Sequence, residues 1–245
     1  MVTKAIHPVK FLDWEETMNI LVILAHPDDP EFFMGGTIAL WSSLGHKISY
    51  LLLTKGERGV SEQFPDGEKL KDIRKVEQRN AADVLGVGAV DFLDHSDGFL
   101  EVNLDNRRQL VTEIRKRQPD IVVSSDPLTF FHTHYINHPD HRAAGLLTME
   151  AVFPAAGNPS FFPEQIEQGL KTTSIRELWM SLTVDPNITL DVSEYWKIRL
   201  EALKKHVSQI GDPAAFVQKW NQRRQEATES DTNYYEHFRR VILRV

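Results

Sequence analysis

The chain carries the segment ILVILA at residues 20–25, and the segment HPDDPE follows it directly at residues 26–31. Six apolar residues in an unbroken run are typical of a strand that is buried on both faces. The residues after the second segment have helical spacing and predict a helix over about 32–44, which Gly45 ends. The sequence therefore predicts a buried strand, a polar loop and a helix, with one imidazole and three carboxylates in the loop.

The alternation of strand and helix continues along the first part of the chain. The apolar patterns predict three further strands, at about 48–53, 89–93 and 121–123. Helical spacing predicts three further helices, at about 68–85, 104–117 and 141–152. Strands that alternate with helices form parallel sheets that are covered by the helices. The predicted fold class is therefore α/β, a Rossmann-like sandwich with a mostly parallel central sheet and a C-terminal elaboration.

The pattern is less regular after residue 153. Two strands are predicted at about 175–184 and 188–192, with a turn sequence between them, and Asp212 followed by Pro213 predicts the start of a helix. The segment 234–245 is compatible with either a helix or a strand. We expect a single domain over residues 1–245, which consists of an N-terminal arm (1–18), an α/β core (19–153) and a C-terminal elaboration (154–245).

The composition excludes several kinds of site. The 245 residues include no cysteine, so a disulfide framework, a thiolate zinc site and a cysteine nucleophile are all excluded. Any metal ion must therefore be bound by nitrogen and oxygen. With 28 Lys and Arg against 35 Asp and Glu, the net charge of −7 argues against general binding to nucleic acid. We find no signal peptide and no apolar run long enough to span a membrane, and we expect a cytoplasmic protein.

Histidines are concentrated after the fourth predicted strand. Four of the ten histidines of the chain lie within ten residues, and two of them form the sequence HPDH at residues 138–141. The carboxyl ends of parallel strands meet at one edge of a sheet, so His26 and His141 can come together although they are 115 residues apart. A single aspartate in such a loop is often only a helix cap. Two histidines and an aspartate with an open position, however, are typical of a catalytic zinc site.

Two further loops open onto the same predicted edge. Residues 54–59 follow the second strand and place Arg58 between two glycines, and residues 94–98 follow the third strand and contain Asp97. Each loop taken alone is compatible with an ordinary surface loop, because exposed Arg and Asp are common. Four loops with polar side chains at one sheet edge favour a functional site.

With these motifs, the sequence resembles a known family, the LmbE-like or PIG-L-type deacetylases. These are metal-dependent enzymes that act mainly on N-acetylglucosaminyl compounds. The resemblance rests on residues 26–31 and 138–141, and extends from residue 20 to about 210. Shorter matches are the glycine pair 35–36, the loop 54–59, Arg74 with Glu77, and residues 97–98.

The resemblance implies a role for eight residues and a zinc ion, although other divalent transition metals also accept such ligands. The implied metal ligands are His26, Asp29 and His141. Asp28 is implied as the general base, His138 as a group that stabilises the oxyanion, and Asp140 as the residue that orients or charges His138. Arg58 and Asp97 are implied to hold the sugar. Either Asp28 or His138 could protonate the leaving amine.

The resemblance also implies a partner, which is a small N-acetylated sugar conjugate, and it leaves a homo-oligomer (trimer or hexamer) open. The main alternative is another mononuclear or dinuclear metallohydrolase, such as a phosphoesterase in which Asp28 and Asp140 bind a second ion. A dinucleotide-binding module is less favoured because no Gly-x-Gly-x-x-Gly follows the first strand. A non-catalytic scaffold is not favoured either, since every expected catalytic position is occupied.

Overall fold

The computed structural model describes residues 7–10, 12–132, 134–227 and 233–243. In its first 150 residues strands alternate with helices, except that a short hairpin at residues 131–136 precedes the fourth helix. The strands are β1 (Asn19–Leu24), β2 (Lys47–Thr54), β3 (Ala89–His95) and β4 (Ile121–Ser125). The helices are α1 (Asp29–Ser43), α2 (Gly67–Leu85), α3 (Leu104–Arg117) and α4 (Pro139–Glu150). The four strands pair in parallel, with β1 between β2 and β4.

The remaining elements are the two strands of this hairpin and the elements of residues 151–243. Within the described residues they comprise five strands, two of which form the hairpin, together with four helices, a π-helical turn (Ala151–Ala156) and a 3-10 turn (Ser193–Tyr195). The strands are β5 (Phe131–His132), β6 (Tyr135–Ile136), β7 (Glu177–Ser181), β8 (Ile188–Asp191) and β9 (Tyr235–Ile242). The helices are α5 (Pro163–Glu167), α6 (Trp196–Leu203), α7 (Val207–Ile210) and α8 (Pro213–Ala227). None of the helices within the described ranges is long and apolar enough to cross a membrane.

The main sheet has seven strands in the order β3-β2-β1-β4-β7-β9-β8. β7 joins β4 in parallel, and β9 is antiparallel to both of its neighbours. The predicted α/β class with a mostly parallel central sheet is therefore confirmed. The segment that the sequence left open between helix and strand contains strand β9, while residues 244–245 lie outside the described part. β9 also separates β7 from β8, which a simple turn between them did not suggest.

β1 is buried on both faces, as its apolar run predicts. Ile20, Val22 and Leu24 face one hydrophobic cluster, which includes Trp41 of α1. Leu21 and Ile23 face the other cluster, which includes residues of α3 and α4. Because successive side chains of a strand point to opposite faces, this strand needs apolar residues at every position. β1 is therefore the centre of the core, and its carboxyl end is held in a fixed place.

The two motifs lie at the amino ends of α1 and α4. α1 starts at Asp29, three residues earlier than predicted, and α4 starts at Pro139 instead of residue 141. α4 packs closely on β4 because Gly145 has no side chain: a Cβ there would lie 2.1 Å from the carbonyl oxygen of Ser125. This close approach determines how far the amino end of α4 lies from the carboxyl end of β4.

The N-terminal arm is anchored to β7 and β9 by a buried carboxylate, that of Glu177. It accepts hydrogen bonds from the indoles of Trp14 (3.0 Å) and Trp179 (2.7 Å), and from Nε of Arg240 (2.9 Å). Burial would raise the pKa of Glu177, but these donors hold it below its ordinary value. The charged form of Glu177 therefore contributes to the stability of the fold.

Residues 155–165 are organised by one buried side chain of α3, that of Arg115. Its guanidinium donates to five backbone carbonyls, those of Ala155, Ala156, Asn158, Phe161 and Phe162. It also donates to Oε1 of Gln165 (2.9 Å), whose Nε2 donates to the carbonyl of Arg108 (3.0 Å). This part of the chain has little regular structure, and Arg115 holds it against the core.

Candidate metal centre and active site

Three side chains meet where β1 and β4 end. Nδ1 of His26 lies 3.2 Å from Nε2 of His141. Oδ2 of Asp29 lies 3.4 Å from the first nitrogen, and Oδ1 of Asp29 lies 3.1 Å from the second. In a tetrahedral site with zinc–ligand distances of about 2.0–2.1 Å, two ligand atoms are about 3.3–3.4 Å apart. The three groups are thus separated as ligands of one ion would be.

The far nitrogen of His141 is held by an amide. Nδ1 lies 2.9 Å from Oδ1 of Asn137, and Nδ2 of the same amide donates to the carbonyl of Thr129 (2.7 Å). Because Nδ2 is committed as a donor, Oδ1 must accept a hydrogen from Nδ1 of His141. The lone pair of this imidazole is therefore on Nε2, which is the nitrogen that faces His26 and Asp29.

The far nitrogen of His26 faces two carboxylates. Nε2 lies 3.2 Å from Asp97 and 3.4 Å from Asp140, although neither oxygen accepts with good hydrogen-bond geometry. Burial would lower the pKa of His26, but the carboxylates around the ring hold it well above its ordinary value. Their negative charge keeps a hydrogen on Nε2, so a cation that displaces the other ring proton would meet the lone pair of Nδ1 on the side of Asp29 and His141.

The donor set fits a divalent transition metal. Two imidazole nitrogens and one carboxylate oxygen are ligands that zinc and its neighbours prefer, and partners behind the rings orient such ligands. Among the residues that the structure describes, two other groups have ligand atoms within 4.8 Å of one another, namely His26 with His138 and His141, and His26 with Asp97 and Asp140. The last group is less suitable, because backbone N–H groups already occupy both carboxylate oxygens of Asp140.

Asp29 carries the negative charge of this set. Its side chain is buried, and one oxygen also accepts from the backbone N–H of His26 (2.8 Å). Burial would raise the pKa of Asp29, but the two neighbouring imidazoles hold it well below its ordinary value. The carboxylate is therefore ionised and able to bind a cation.

Asp28 lies beside this set but is bound differently. Its backbone has a φ of 85°, a left-handed conformation, and its carboxylate accepts from Nη2 of Arg74 (3.2 Å). The same guanidinium donates to the carbonyls of Pro27 (2.6 Å) and Gly56 (2.8 Å). Burial raises the pKa of Asp28 to about 6, against the opposing charge of Arg74. A carboxylate that titrates near neutrality is suited to accept a proton from water.

The ring of His138 lies next to both imidazoles, with centroids 4.7 Å from His26 and 5.4 Å from His141. Its Nδ1 accepts from the backbone N–H of Asp140 (3.2 Å). Burial, with the neighbouring charge of His26, lowers the pKa of His138. The neutral ring therefore has its hydrogen on Nε2, where it can donate to a negatively charged oxygen.

The carboxylate of Asp140 has further partners besides His138, whose pKa its charge raises against the effect of burial. It accepts from the backbone N–H groups of Gly98 (2.7 Å) and Leu100 (3.2 Å), in addition to facing His26. Asp140 thus meets His138 through its backbone N–H, while its side chain supports His26 and fixes the loop after β3.

Arg58 and Asp97 lie on the same side of the site. Asp97 is buried, and its second oxygen accepts from the backbone N–H of Arg58 (3.0 Å). The side chain of Arg58 is exposed, with its guanidinium 4.6 Å from the centre of the Phe99 ring. Arg58 is therefore open to a ligand from solvent, whereas Asp97 is positioned to orient His26.

Four further residues of the site received no role from the sequence: Glu31, Gln78, Asn137 and His206. Glu31 belongs to the first motif, but a carboxylate in a motif does not show which way it points. Asn137 directly precedes the second motif, which is the one signal that could have drawn attention to it. Gln78 and His206 lie in segments that the sequence pattern predicts to be helical, and no local pattern marks either residue; His206 in fact lies in the turn between α6 and α7.

Comparison with known proteins identifies the group to which the chain belongs. The model of the family described as "PIG-L: GlcNAc-PI de-N-acetylase" matches residues 21–152, which include both motifs. The chain belongs to the PIG-L family. The resemblance that the sequence motifs indicated is thereby confirmed. The matched range runs from β1 to the end of α4 and beyond, so it contains every candidate ligand.

Individual relatives of this PIG-L protein agree on the fold but differ in activity. Diacetylchitobiose deacetylase of Thermococcus kodakarensis is 36% identical over 197 residues, which cover 80% of this chain and 72% of the relative. The solved structure of N,N'-diacetylchitobiose deacetylase from Pyrococcus horikoshii superposes with a TM-score of 0.82 at 29% identity, covering 93% of this chain and 85% of the other. A 4-oxalmesaconate hydratase of Pseudomonas putida is 29% identical over 199 residues, which cover 76% and 72% of the two chains.

Proposed function

We propose that this protein is a metal-dependent hydrolase that removes the acetyl group from an N-acetylated amino sugar, in the form of an N-acetylglucosaminyl conjugate. The observation that carries the proposal is the arrangement of His26, Asp29 and His141 within 3.1–3.4 Å of one another in a PIG-L chain. Zinc is the proposed ion because imidazole and carboxylate ligands with an open position suit it.

The chemistry assigned to the side chains follows from their surroundings. A divalent ion bound by these three residues would make water more acidic and polarise the amide carbonyl. Asp28 accepts a proton as water attacks the carbonyl carbon, and Nε2–H of His138 donates to the oxygen that becomes negative. The C–N bond then breaks, acetate leaves, and a proton from Asp28 or His138 goes to the amine. Arg58 is proposed to contact the sugar, and Asp97 and Asp140 to orient His26.

A second candidate is a hydratase, since one relative that matches most of the chain carries that name. Water addition to a carbon–carbon double bond of an acidic substrate could use the same ion and base. The deacetylase is favoured because the family description and the more similar relative both name de-N-acetylation. A phosphoesterase is not favoured, because the carboxylate of Asp140 already binds two backbone N–H groups and faces His26.

The test is an assay for free amine with the zinc-loaded protein. The panel contains N-acetylglucosamine, N,N'-diacetylchitobiose, and N-acetylglucosaminyl conjugates of inositol and malate, each with and without a chelator. The proposal expects amine release from at least one sugar and its loss with chelator. If instead no sugar gives amine while an unsaturated tricarboxylate loses its ultraviolet absorbance, the hydratase is correct. A homo-oligomer and a cytoplasmic location stay predictions; light scattering and cell fractionation test them.

A further inference from the structure

The peptide unit before Asp28 is held from both sides by α2. The N–H of Asp28 donates to Oε1 of Gln78 (2.7 Å), and the carbonyl of Pro27 accepts from Nη2 of Arg74 (2.6 Å). Asp28 needs this support because its φ of 85° is a conformation that residues other than glycine rarely adopt. The direction of the Asp28 side chain therefore depends on the two contacts from α2.

The orientation of the Gln78 amide is itself fixed. Gln78 is fully buried, and its Nε2 lies 3.0 Å from each carboxylate oxygen of Glu31. If the amide turned over, its oxygen would face that carboxylate and its NH2 would face the N–H of Asp28. Both contacts would then be repulsive, so Gln78 can only present an acceptor to Asp28.

Glu31 is held in turn by the C-terminal part of the chain. Its carboxylate is fully buried and lies 3.1 Å from Nε2 of His206, in the segment between α6 and α7. Burial would lower the pKa of His206, but the carboxylate of Glu31 raises it. The third carboxylate of the first motif thus faces Gln78 and His206, away from the candidate ligands.

We propose that Gln78 is a positioning residue, which sets the direction of the Asp28 carboxylate by accepting the Asp28 N–H while Glu31 holds its amide. The inference rests on the proposed function, because it takes Asp28 as the general base. A turn of the peptide between residues 27 and 28 moves the carboxylate, and a displacement of about 1 Å at a reacting group can cost about 100-fold in rate.

The experiment compares two matched variants, Gln78→Met and Gln165→Met. Gln165 is also buried, and its amide also accepts one hydrogen bond and donates another, but it lies in the cluster around Arg115. We expect Gln78→Met to lower kcat for amine release by about 10- to 100-fold, with KM and bound zinc within twofold of the parent. Both variants are expected to lower the thermal midpoint by similar amounts, since each removes one buried amide. Gln165→Met, however, is expected to keep kcat within twofold of the parent.

A double variant separates positioning from a general structural effect. If Gln78 acts through Asp28, Gln78→Met adds nothing to the loss of kcat that Asp28→Asn already causes. Additive losses, a loss of zinc, or a kcat equal to that of Gln165→Met would each overturn the inference. Should Gln78→Met fail to fold, Gln78→Asn takes its place in the same comparisons, because its shorter amide withdraws the acceptor from the Asp28 N–H. The same loss of kcat is expected, and a kcat within twofold of the parent would overturn the inference. A parent enzyme that releases no amine from any sugar would overturn the proposed function itself.

Discussion

The substitution Asp28→Asn separates catalysis from metal binding and from stability. Asparagine tolerates the left-handed backbone, and its amide oxygen can still accept from Arg74. Removing the base is expected to lower kcat by about 10²- to 10⁴-fold, which corresponds to about 2.7–5.5 kcal/mol of activation free energy. Zinc content is expected to stay at the parental value, because none of the proposed ligands changes.

Stability is expected to move in the opposite direction. The pKa of Asp28 is about 6 in the folded protein, against an ordinary value of 3.8. The fold therefore stabilises the uncharged carboxyl relative to the carboxylate by about 3 kcal/mol. Above pH 6 the parent holds this carboxylate ionised at that cost, whereas asparagine is always neutral. The metal-free variant should therefore have a thermal midpoint equal to or above that of the metal-free parent at pH 7.5.

Three assays check this prediction: amine release, zinc content by atomic absorption, and thermal unfolding of the metal-free protein. The control is Asp120→Asn, a carboxylate at the opposite edge of the sheet that accepts from the backbone N–H of Asn19 (2.8 Å). It should keep the parental kcat. The reasoning is refuted if Asp28→Asn keeps kcat within tenfold of the parent, or if its metal-free form melts clearly below the metal-free parent.

Other predictions concern metal affinity and acid stability. His141→Ala removes one of three proposed ligands, so zinc should dissociate on dilution, and equal zinc content in variant and parent would contradict the assignment. Asn137→Leu releases Nδ1 of His141 and should weaken zinc binding about 10- to 100-fold in a competition titration, with unchanged affinity as the contrary result. Glu177→Gln should lower the free energy of unfolding by about 2–4 kcal/mol at pH 7. Because the pKa of Glu177 is depressed, this difference should be complete above its ordinary value of 4.5 and shrink as the pH falls below it; a constant gap in urea unfolding would refute it.

The centre of the fold could be predicted because its local signals agree. The apolar run of β1 allows no solvent-exposed face, and a parallel strand order brings loops 115 residues apart to one edge. The distance of 3.2 Å between nitrogens of His26 and His141 is the result. Such features depend on periodicity and topology, and both are written in the sequence.

The partners of individual polar side chains could not be predicted, because they depend on how loops turn. Asp140 accepts from two backbone N–H groups of the loop after β3, and no pattern around residue 140 specifies that loop. β9 was ambiguous for a similar reason: Glu236 occupies an inward position where an apolar residue would signal a strand. It is buried there because the N–H groups of Gly36 and Thr37 donate to it.

The place of β9 has a consequence for how the protein is made. β9 follows β7 and β8 along the chain, yet it lies between them in the sheet and pairs with both. During synthesis on the ribosome, β7 and β8 therefore emerge before the strand that pairs with both, and the edge of β7 stays open until residues 235–242 have emerged. Premature termination before residue 235 would leave that edge available to other chains, and such products are expected to aggregate.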